Sequence, residues 1–380
     1  MPFSRPIIIA FASAALAVLL AGCSNNNDNG QQTTFGVAAT DAGPPVGPPI
    51  ALTLGPGETE VVTVTVELPD PTTREVGGDV MILFDRSGSF ADDLQTFRDQ
   101  SEAIVGALSA TFPDLRVGLS SFVDANCADF GRSGDFGYEL NLPLPAGGTD
   151  VAAALQAAIN ALDIRSGGDG PESQLEAMRQ AMTGSGVVIE AENTACAGIA
   201  DIPASAPGYD STRVRFLLVS TDASFHDPTD VGSGGTPYPY PTTFLDVLFT
   251  ADQTGTTIFF LNSGATDPDA EAIATETGGA IFDLGGSSDG VVEAIRDAIG
   301  GAVQNVEVRI EFSDSGTEYV QSITPEFQTA DLTLDRETSF DVTFVGDSVA
   351  GTVDFDVFVT AGGAQLVRRE ATLTMLGGDR

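Results

Sequence analysis

Residues 80–93 read Val-Met-Ile-Leu-Phe-Asp-Arg-Ser-Gly-Ser-Phe-Ala-Asp-Asp, and this stretch decides the fold and the chemistry that we predict. Its first five residues form an apolar run typical of a buried strand, which ends at a carboxylate and two hydroxyls. Open α/β sheets bind ligands at the carboxyl ends of their strands, and hard oxygen donors suit Mg²⁺ or Ca²⁺. The stretch therefore predicts a divalent-cation site.

The composition of the chain limits its partners. The 380 residues include 54 acidic and only 16 basic side chains, which gives a net charge of -38. Because nucleic-acid binding depends on neutralising phosphates with basic groups, the charge excludes a nucleic-acid partner. The hydrophobic content of 42% is sufficient for two domains, each with its own core.

The N-terminus predicts a bacterial lipoprotein. Residues 1–22 combine Arg5 with an apolar stretch too short to span a bilayer, which is typical of a signal peptide. The sequence ending at Cys23 resembles a lipobox, so membrane contact is expected only through acyl chains on Cys23. Ser24 follows, without the Asp of a plasma-membrane retention signal, which favours the outer membrane of the cell envelope. Residues 23–47 are predicted to hold the lipidated Cys and a flexible linker.

The remaining cysteines predict a disulfide. With Cys23 assigned to the lipid, Cys127 and Cys196 are left as an even pair in an oxidising compartment. Two free thiols in separate loops are the alternative, because sequence alone cannot place the two residues within bonding distance.

Hydrophobic periodicity divides the rest of the chain. Residues 48–77 and 302–378 alternate in the manner of β-strands and predict an all-β sandwich. Residues 78–301 alternate strand and helix, and their strands are apolar enough to be covered on both faces. We therefore predict an α/β fold, a doubly wound and mostly parallel sheet inserted into the sandwich.

Acidic residues follow three of the predicted strands. Asp85, Asp124 and Asp222 each lie where a strand ends, and a glycine-rich loop adds Asp169 and Glu172. A strand-terminal Asp is commonly a helix cap. Several carboxylates at one edge, however, repel one another unless cations lie between them.

These motifs resemble the von Willebrand factor A domain family, and most closely the inserted domain of integrin β subunits. Residues 85–94 are similar to its Asp-x-Ser-x-Ser-x-x-Asp-Asp-Leu segment, and residues 121–124 to its second strand end. Residues 169–172 are similar to its Asp-x-Pro-Glu loop, and residues 220–226 to its fourth motif. The flanking β segments resemble the hybrid domain that surrounds the integrin insert.

The resemblance implies a central Mg²⁺ site and an adjacent Ca²⁺ site. For the central ion it implies three direct ligands and two carboxylates that hold water ligands: Ser87, Ser89 and Glu172, with Asp85 and Asp222. One position stays open for a carboxylate of the bound partner. Asp92 and Asp93 are the implied ligands of the adjacent Ca²⁺.

A third site, also for Ca²⁺, is implied on the opposite flank at Asp124, at the backbone region of Asp169 and Pro171, and at Glu172. It is one ligand short, because Gly167 stands where the family usually has Asn. Thr149, within a Gly-Gly-Thr-Asp loop, is an alternative third ligand of the central ion, as in ordinary A domains; its other interpretation is a helix N-cap.

The sequence thus predicts an adhesion or ligand-binding protein of the cell envelope, whose partner presents an Asp or Glu carboxylate to a bound metal. No enzymatic activity is expected, since the single histidine, His226, has no nucleophile-elbow motif beside it. An unidentified partner subunit is possible by analogy. A structural envelope scaffold and a regulatory subunit of an enzyme complex remain as alternatives.

Overall fold

The computed structural model describes residues 33–38, 49–67, 77–111, 114–127, 129–145, 150–189, 196, 199–264, 267–283, 291–303, 306–331, 337–362 and 364–377. The signal peptide, the lipidation site Cys23 and the alternative ligand Thr149 lie outside these residues. Within them, no helix has the length and apolar character needed to cross a membrane.

The described residues form fifteen strands and seven α-helices. The strands are β1 (Thr33–Ala38), β2 (Ile50–Leu54), β3 (Thr59–Glu67), β4 (Gly78–Asp85), β5 (Leu115–Phe122), β6 (Glu139–Leu142), β7 (Val214–Thr221), β8 (Thr256–Asn262), β9 (Ile281–Asp283), β10 (Val306–Phe312), β11 (Val320–Thr324), β12 (Phe327–Ala330), β13 (Glu337–Val345), β14 (Gly351–Ala361) and β15 (Ala364–Met375). The helices are α1 (Ala91–Thr111), α2 (Val151–Ala161), α3 (Gln174–Thr183), α4 (Phe244–Thr254), α5 (Pro268–Glu276), α6 (Val291–Val303) and α7 (Asp314–Thr317).

The predicted fold class is wrong. The sequence predicts a doubly wound, mostly parallel α/β sheet, but the part of the chain that the structure describes is β-rich, with 37% strand against 27% helix. Each of the three described sheets combines parallel and antiparallel pairs. The physical reason lies in the flanking segments, whose alternating strands contribute eight of the fifteen described strands. The predicted boundaries between the segments remain a prediction.

One of the three sheets carries the predicted site. Its six strands have the order β6-β5-β4-β7-β8-β9, and only the β5–β6 pair is antiparallel. Strand β4 is buried along its whole length. Because side chains alternate across a strand, Ile82 and Phe84 enter one hydrophobic core with residues of α1, while Met81 and Leu83 enter a second core with residues of α3.

The other two sheets are built from chain segments on both sides of this sheet. Their strand orders are β1-β3-β13-β11 and β12-β10-β14-β15-β2. Strands β3 and β13 pair antiparallel over their full lengths, whereas β2 pairs parallel with β15. Strand β1 lies inside the predicted linker and pairs parallel with β3, so this part of the linker is a strand. Its β-branched and aromatic residues favour adding to a sheet edge.

A buried ion-pair network lies near the amino end of β4, away from the predicted site. Asp79 is fully buried, and its Oδ1 accepts hydrogen bonds from Arg116 Nε at 2.7 Å and Arg213 Nε at 2.8 Å. Its Oδ2 accepts the backbone N–H of Asp210 at 2.9 Å. The network joins β4 to β5 and to the start of β7.

Candidate metal-binding site

Asp85, at the carboxyl end of β4, is held rigidly by two hydrogen bonds. Its Oδ1 accepts the backbone N–H of Ser87 at 2.8 Å, and its Oδ2 accepts the hydroxyl of Thr221, at the end of β7, at 2.7 Å. Burial raises the pKa of Asp85 to about 6, although the same hydrogen bonds lower it. The carboxylate is therefore fixed in place but poorly neutralised.

Two hydroxyl oxygens lie next to Asp85 in the loop that precedes α1, and they adjoin Asp222, which follows β7. Ser87 Oγ is 3.1 Å from Ser89 Oγ, and the Ser89 hydroxyl donates to Asp222 Oδ1 at 3.0 Å. Adjacent ligands of an octahedral Mg²⁺, with bonds of about 2.1 Å, are about 3.0 Å apart. Ser87 is buried and Ser89 is exposed, so the loop presents this oxygen pair at the protein surface.

Glu172 reaches the same region from the loop that precedes α3. Its backbone N–H donates to Ser224 O, and its carbonyl accepts the N–H of His226, both at 2.9 Å. This pairing fixes Glu172 beside the segment that follows β7. A Cβ at Gly167, whose φ is +62°, would lie 2.6 Å from Glu172 Oε1. Glycine is therefore required for the carboxylate to pack against this turn.

The carboxylate of Glu172 has an unfavourable environment. It is buried, and its Oε2 has no hydrogen-bond partner among the described residues. Its pKa is raised from the ordinary 4.5 to about 10, first by burial and then by the charges of Asp85, Asp124, Asp135 and Asp169. A buried carboxylate is normally paired or bound to a cation.

The basic residue of the loop does not compensate for these charges. Arg86 NH1 pairs with Glu139 Oε2 at 2.8 Å, and its NH2 pairs with Asp163. The donor set of Ser87, Ser89 and Glu172 fits a hard divalent cation, because it consists of oxygens and includes an unpartnered buried oxygen on Glu172. The two serine hydroxyls also have the separation of neighbouring Mg²⁺ ligands.

The predicted adjacent site also has two acidic residues close together. Asp93 is buried in the first turn of α1 and accepts the hydroxyl of Ser263 at 2.9 Å, while Asp92 is exposed. Burial raises the pKa of Asp93 to about 6, the hydrogen bond from Ser263 lowers it, and the charges of Asp92 and Asp222 raise it. These two carboxylates are thus near Asp222 of the central set.

The third predicted site contains a histidine that the sequence prediction did not include. Atoms of Asp124, Asp169 and His226 that can ligate a metal all lie within 4.8 Å of one another. Pro171 is half-buried in the same loop as Asp169. Burial lowers the pKa of His226, but Asp124, Asp230 and Asp169 outweigh this effect and raise it to about 9.

Sequence reasoning missed the residues that position this group. Tyr238 donates to Asp124 Oδ1 at 3.2 Å and also contacts Ser173 Oγ at 2.7 Å. Asp230 contacts His226 Nδ1 at 2.9 Å. The spacing of His226 and Asp230, four residues apart in an acidic loop, was the available signal. No sequence signal pointed to Tyr238, because it contacts Asp124 only through the folding of the chain and the two residues are far apart in sequence.

The predicted disulfide is confirmed. Cys127 and Cys196 are bonded, with 5.0 Å between their Cα atoms. The bond links the loop after β5 to the segment between α3 and β7, which are far apart in sequence. Both cysteines are buried.

A cavity of about 400 Å³ opens beside the disulfide-bonded loop. Its wall includes Asp135, Phe136 and Tyr138 from the loop after β5, together with Ile202 and Tyr240. Asp135 also contributes to the raised pKa of Glu172, so the cavity lies close to the central carboxylates.

Comparison with known proteins gives a remote structural similarity. No protein-family model matches the sequence, and no curated protein matches it. The pilus adhesin SpaC from Lactobacillus rhamnosus GG, in its open conformation, is similar with a TM-score of 0.38 and 14% identity over 83% of this chain and 45% of that chain. A second structure of that adhesin gives a TM-score of 0.37 and 14% identity over 83% and 46%. The chain spans less than half the length of these structures, and a similarity at this level does not establish a shared function.

Proposed function

We propose that this chain is a cell-envelope adhesion protein that binds an acidic side chain of its partner through a metal ion. Ser87, Ser89 and Glu172 would hold Mg²⁺ directly, and Asp85 and Asp222 would hold its water ligands. Asp92 and Asp93 would bind a neighbouring Ca²⁺. The bound cation supplies an open coordination position that attracts a carboxylate, and no chemical reaction follows.

The environment of Glu172 is the observation that carries the proposal. An isolated buried carboxylate is strongly unfavourable, and this one has an unpartnered oxygen with four further acids acting on it. A divalent cation would stabilise all of these charges together. Its natural position is beside Ser87 and Ser89, whose hydroxyl oxygens already have a suitable separation of 3.1 Å.

The exposed position of Ser89 supports capture of an external ligand. A single metal–carboxylate contact at a shallow surface gives modest affinity, so adhesion would depend on many copies acting together. The cavity beside Asp135 would receive the part of the partner that flanks its carboxylate. Phe136 and Tyr138 provide an apolar wall there, and this wall would contribute to partner choice.

The location that we propose is the outer surface of a bacterial envelope. The disulfide between Cys127 and Cys196 is consistent with an oxidising compartment. The lipobox-like sequence ending at Cys23 would supply the membrane anchor. Attachment through the lipid alone leaves the folded part free to meet a partner.

The test combines metal titration with ligand capture. The full chain is titrated with Mg²⁺ in a calorimeter, and its binding to immobilised peptides with a single Asp is compared with binding to the same peptides carrying Asn. We expect saturable Mg²⁺ binding and Asp-dependent capture that EDTA abolishes. Ser87→Ala should remove both effects, whereas Ser322→Ala, an exposed serine on β11, should remove neither.

Two other results would decide against adhesion. Mg²⁺ binding that stabilises the protein without any capture of Asp peptides would support a structural scaffold instead. The absence of binding at millimolar Mg²⁺ and Ca²⁺ would contradict the metal site itself, since even weak extracellular Ca²⁺ modules bind in that range.

A further inference from the structure

We propose that Asp124, Asp169 and His226 form a separate binding site for a first-row transition dication, Zn²⁺ in particular. This site replaces the third Ca²⁺ site that the sequence suggests, and it does not depend on the central Mg²⁺ site. Imidazole nitrogen together with carboxylate oxygen is a ligand combination that suits Zn²⁺.

The orientation of the imidazole is the first argument. His226 Nδ1 lies 2.9 Å from Asp230 Oδ2, and a carboxylate can only accept a hydrogen bond, so Nδ1 carries a hydrogen. In the neutral ring, Nε2 then presents its lone pair to the carboxylates of Asp124 and Asp169. A lone pair facing two carboxylates is unfavourable, so either a proton on Nε2 or a metal ion lies between the ring and these carboxylates.

The distances favour a metal ion as that cation. His226 Nε2 is 3.4 Å from Asp124 Oδ2 and 3.3 Å from Asp169 Oδ1, both longer than the usual hydrogen bond. In a tetrahedral Zn²⁺ site with bonds of about 2.0–2.1 Å, neighbouring ligands are about 3.3–3.4 Å apart. Both carboxylates therefore lie at the spacing of metal ligands from the imidazole, and all three ligand atoms lie within 4.8 Å of one another.

The surrounding residues hold these ligands as the supporting residues of a zinc site do. Asp124 is fully buried, and its Oδ1 accepts hydrogen bonds from Ala125 N, Ser173 Oγ and Tyr238 OH. Its Oδ2 has no hydrogen-bond partner among the described residues and is directed at the cluster. Metal-bound histidines commonly donate their second nitrogen to a carboxylate, which is the role of Asp230 here.

The ring of His226 is also fixed by aromatic contacts. It stacks on Tyr238 with a centroid distance of 4.3 Å and meets the edge of Phe130 at 5.0 Å. Asp169 is partly exposed, with 35% of its side chain accessible, so the fourth coordination position faces solvent. The site is thus rigid on its buried side and accessible to an ion from outside.

The experiment uses the single histidine of the chain as its probe. The full chain, labelled with ¹⁵N-histidine, is titrated with Zn²⁺, and the two ring nitrogens are observed by NMR. We expect one equivalent of Zn²⁺ to move the Nε2 signal to a metal-bound position while Nδ1 stays protonated. Ser87→Ala should leave this response unchanged, which separates it from the central site.

Two variants test the supporting carboxylate. Asp230→Asn should weaken Zn²⁺ binding by about 10- to 100-fold, the usual effect of losing a carboxylate behind a metal-bound histidine. Asp227→Asn is the matched control, because Asp227 lies in the same turn but bonds Thr229. If Zn²⁺ leaves both ring nitrogens protonated and unshifted, the proposal is overturned, and an imidazolium occupies the position assigned to the metal.

Discussion

The replacement Glu172→Gln should stabilise the metal-free protein at neutral pH. The pKa of Glu172 is raised from 4.5 to about 10, first by burial and then by neighbouring charges. Above pH 4.5 the folded chain must therefore take up a proton that the unfolded chain does not hold. Each pH unit above 4.5 lowers the free energy of unfolding by about 1.4 kcal/mol. At pH 7 the total loss is therefore up to about 3 kcal/mol. A glutamine avoids this cost.

Urea denaturation in EDTA measures the effect directly. The stability gained by Glu172→Gln should be close to zero at and below pH 4.5, where both states hold the proton, and should increase steadily as the pH rises towards 10. With Mg²⁺ at 100 times its dissociation constant, the unmodified chain should gain about 2.7 kcal/mol, and the variant should gain almost none.

Glu176→Gln is the matched control for this experiment. Glu176 is also a buried glutamate, but its carboxylate accepts hydrogen bonds from Arg179 at 2.8 Å and Gln180 at 2.6 Å. Its replacement should destabilise the protein at pH 7 and should not change the response to Mg²⁺. A stability difference between Glu172→Gln and the unmodified chain that does not change with pH would refute the charge argument.

Three further predictions concern other parts of the chain. Reducing the bond between Cys127 and Cys196, whose sequence separation is 69, should lower the free energy of unfolding by about 4 kcal/mol, as measured by denaturation with and without reductant. Asp79→Asn should lower the free energy of unfolding by about 3–5 kcal/mol, because the largely buried guanidinium groups of Arg116 and Arg213 lose their carboxylate partner. An unchanged midpoint of urea denaturation would contradict this prediction. Gly167→Ala should lower the free energy of unfolding by about 1–2 kcal/mol, because residue 167 has a positive φ. The added Cβ should also displace Glu172 and weaken Mg²⁺ binding, which calorimetry would detect.

The local features of the central sheet follow closely from the sequence. Strand β7, Val214–Thr221, is a largely apolar run that ends in polar residues, which is a local signal. The same signal places Asp85 and Asp222 at strand ends, and the parallel pairing of β4 and β7 brings them to one edge. Glu172 joins them because its loop pairs with the segment after β7.

The fold class could not be obtained in the same way. Whether a strand has parallel or antiparallel neighbours depends on partners that are distant in sequence, and periodicity carries no information about them. The parallel pairing of β1 with β3, inside a segment rich in Gly and Pro, illustrates this limit. The contacts of His226 with Asp124 and Asp169 could not be predicted for the same reason, because these residues come from two other loops.

The pairing of β2 with β15 has a consequence for biogenesis. Leu54 of β2 lies opposite Met375 of β15, so the sheet that contains β2 can be completed only after β15 has been synthesised. During synthesis or export from the N-terminus, the side chains of Ile50 and Leu52 remain without the core that later buries them. Strand pairs between residues that are distant in sequence form slowly during folding. An unpaired apolar strand edge promotes aggregation in the meantime. Until β15 has been synthesised, β2 is therefore a segment of the nascent chain that is prone to aggregate.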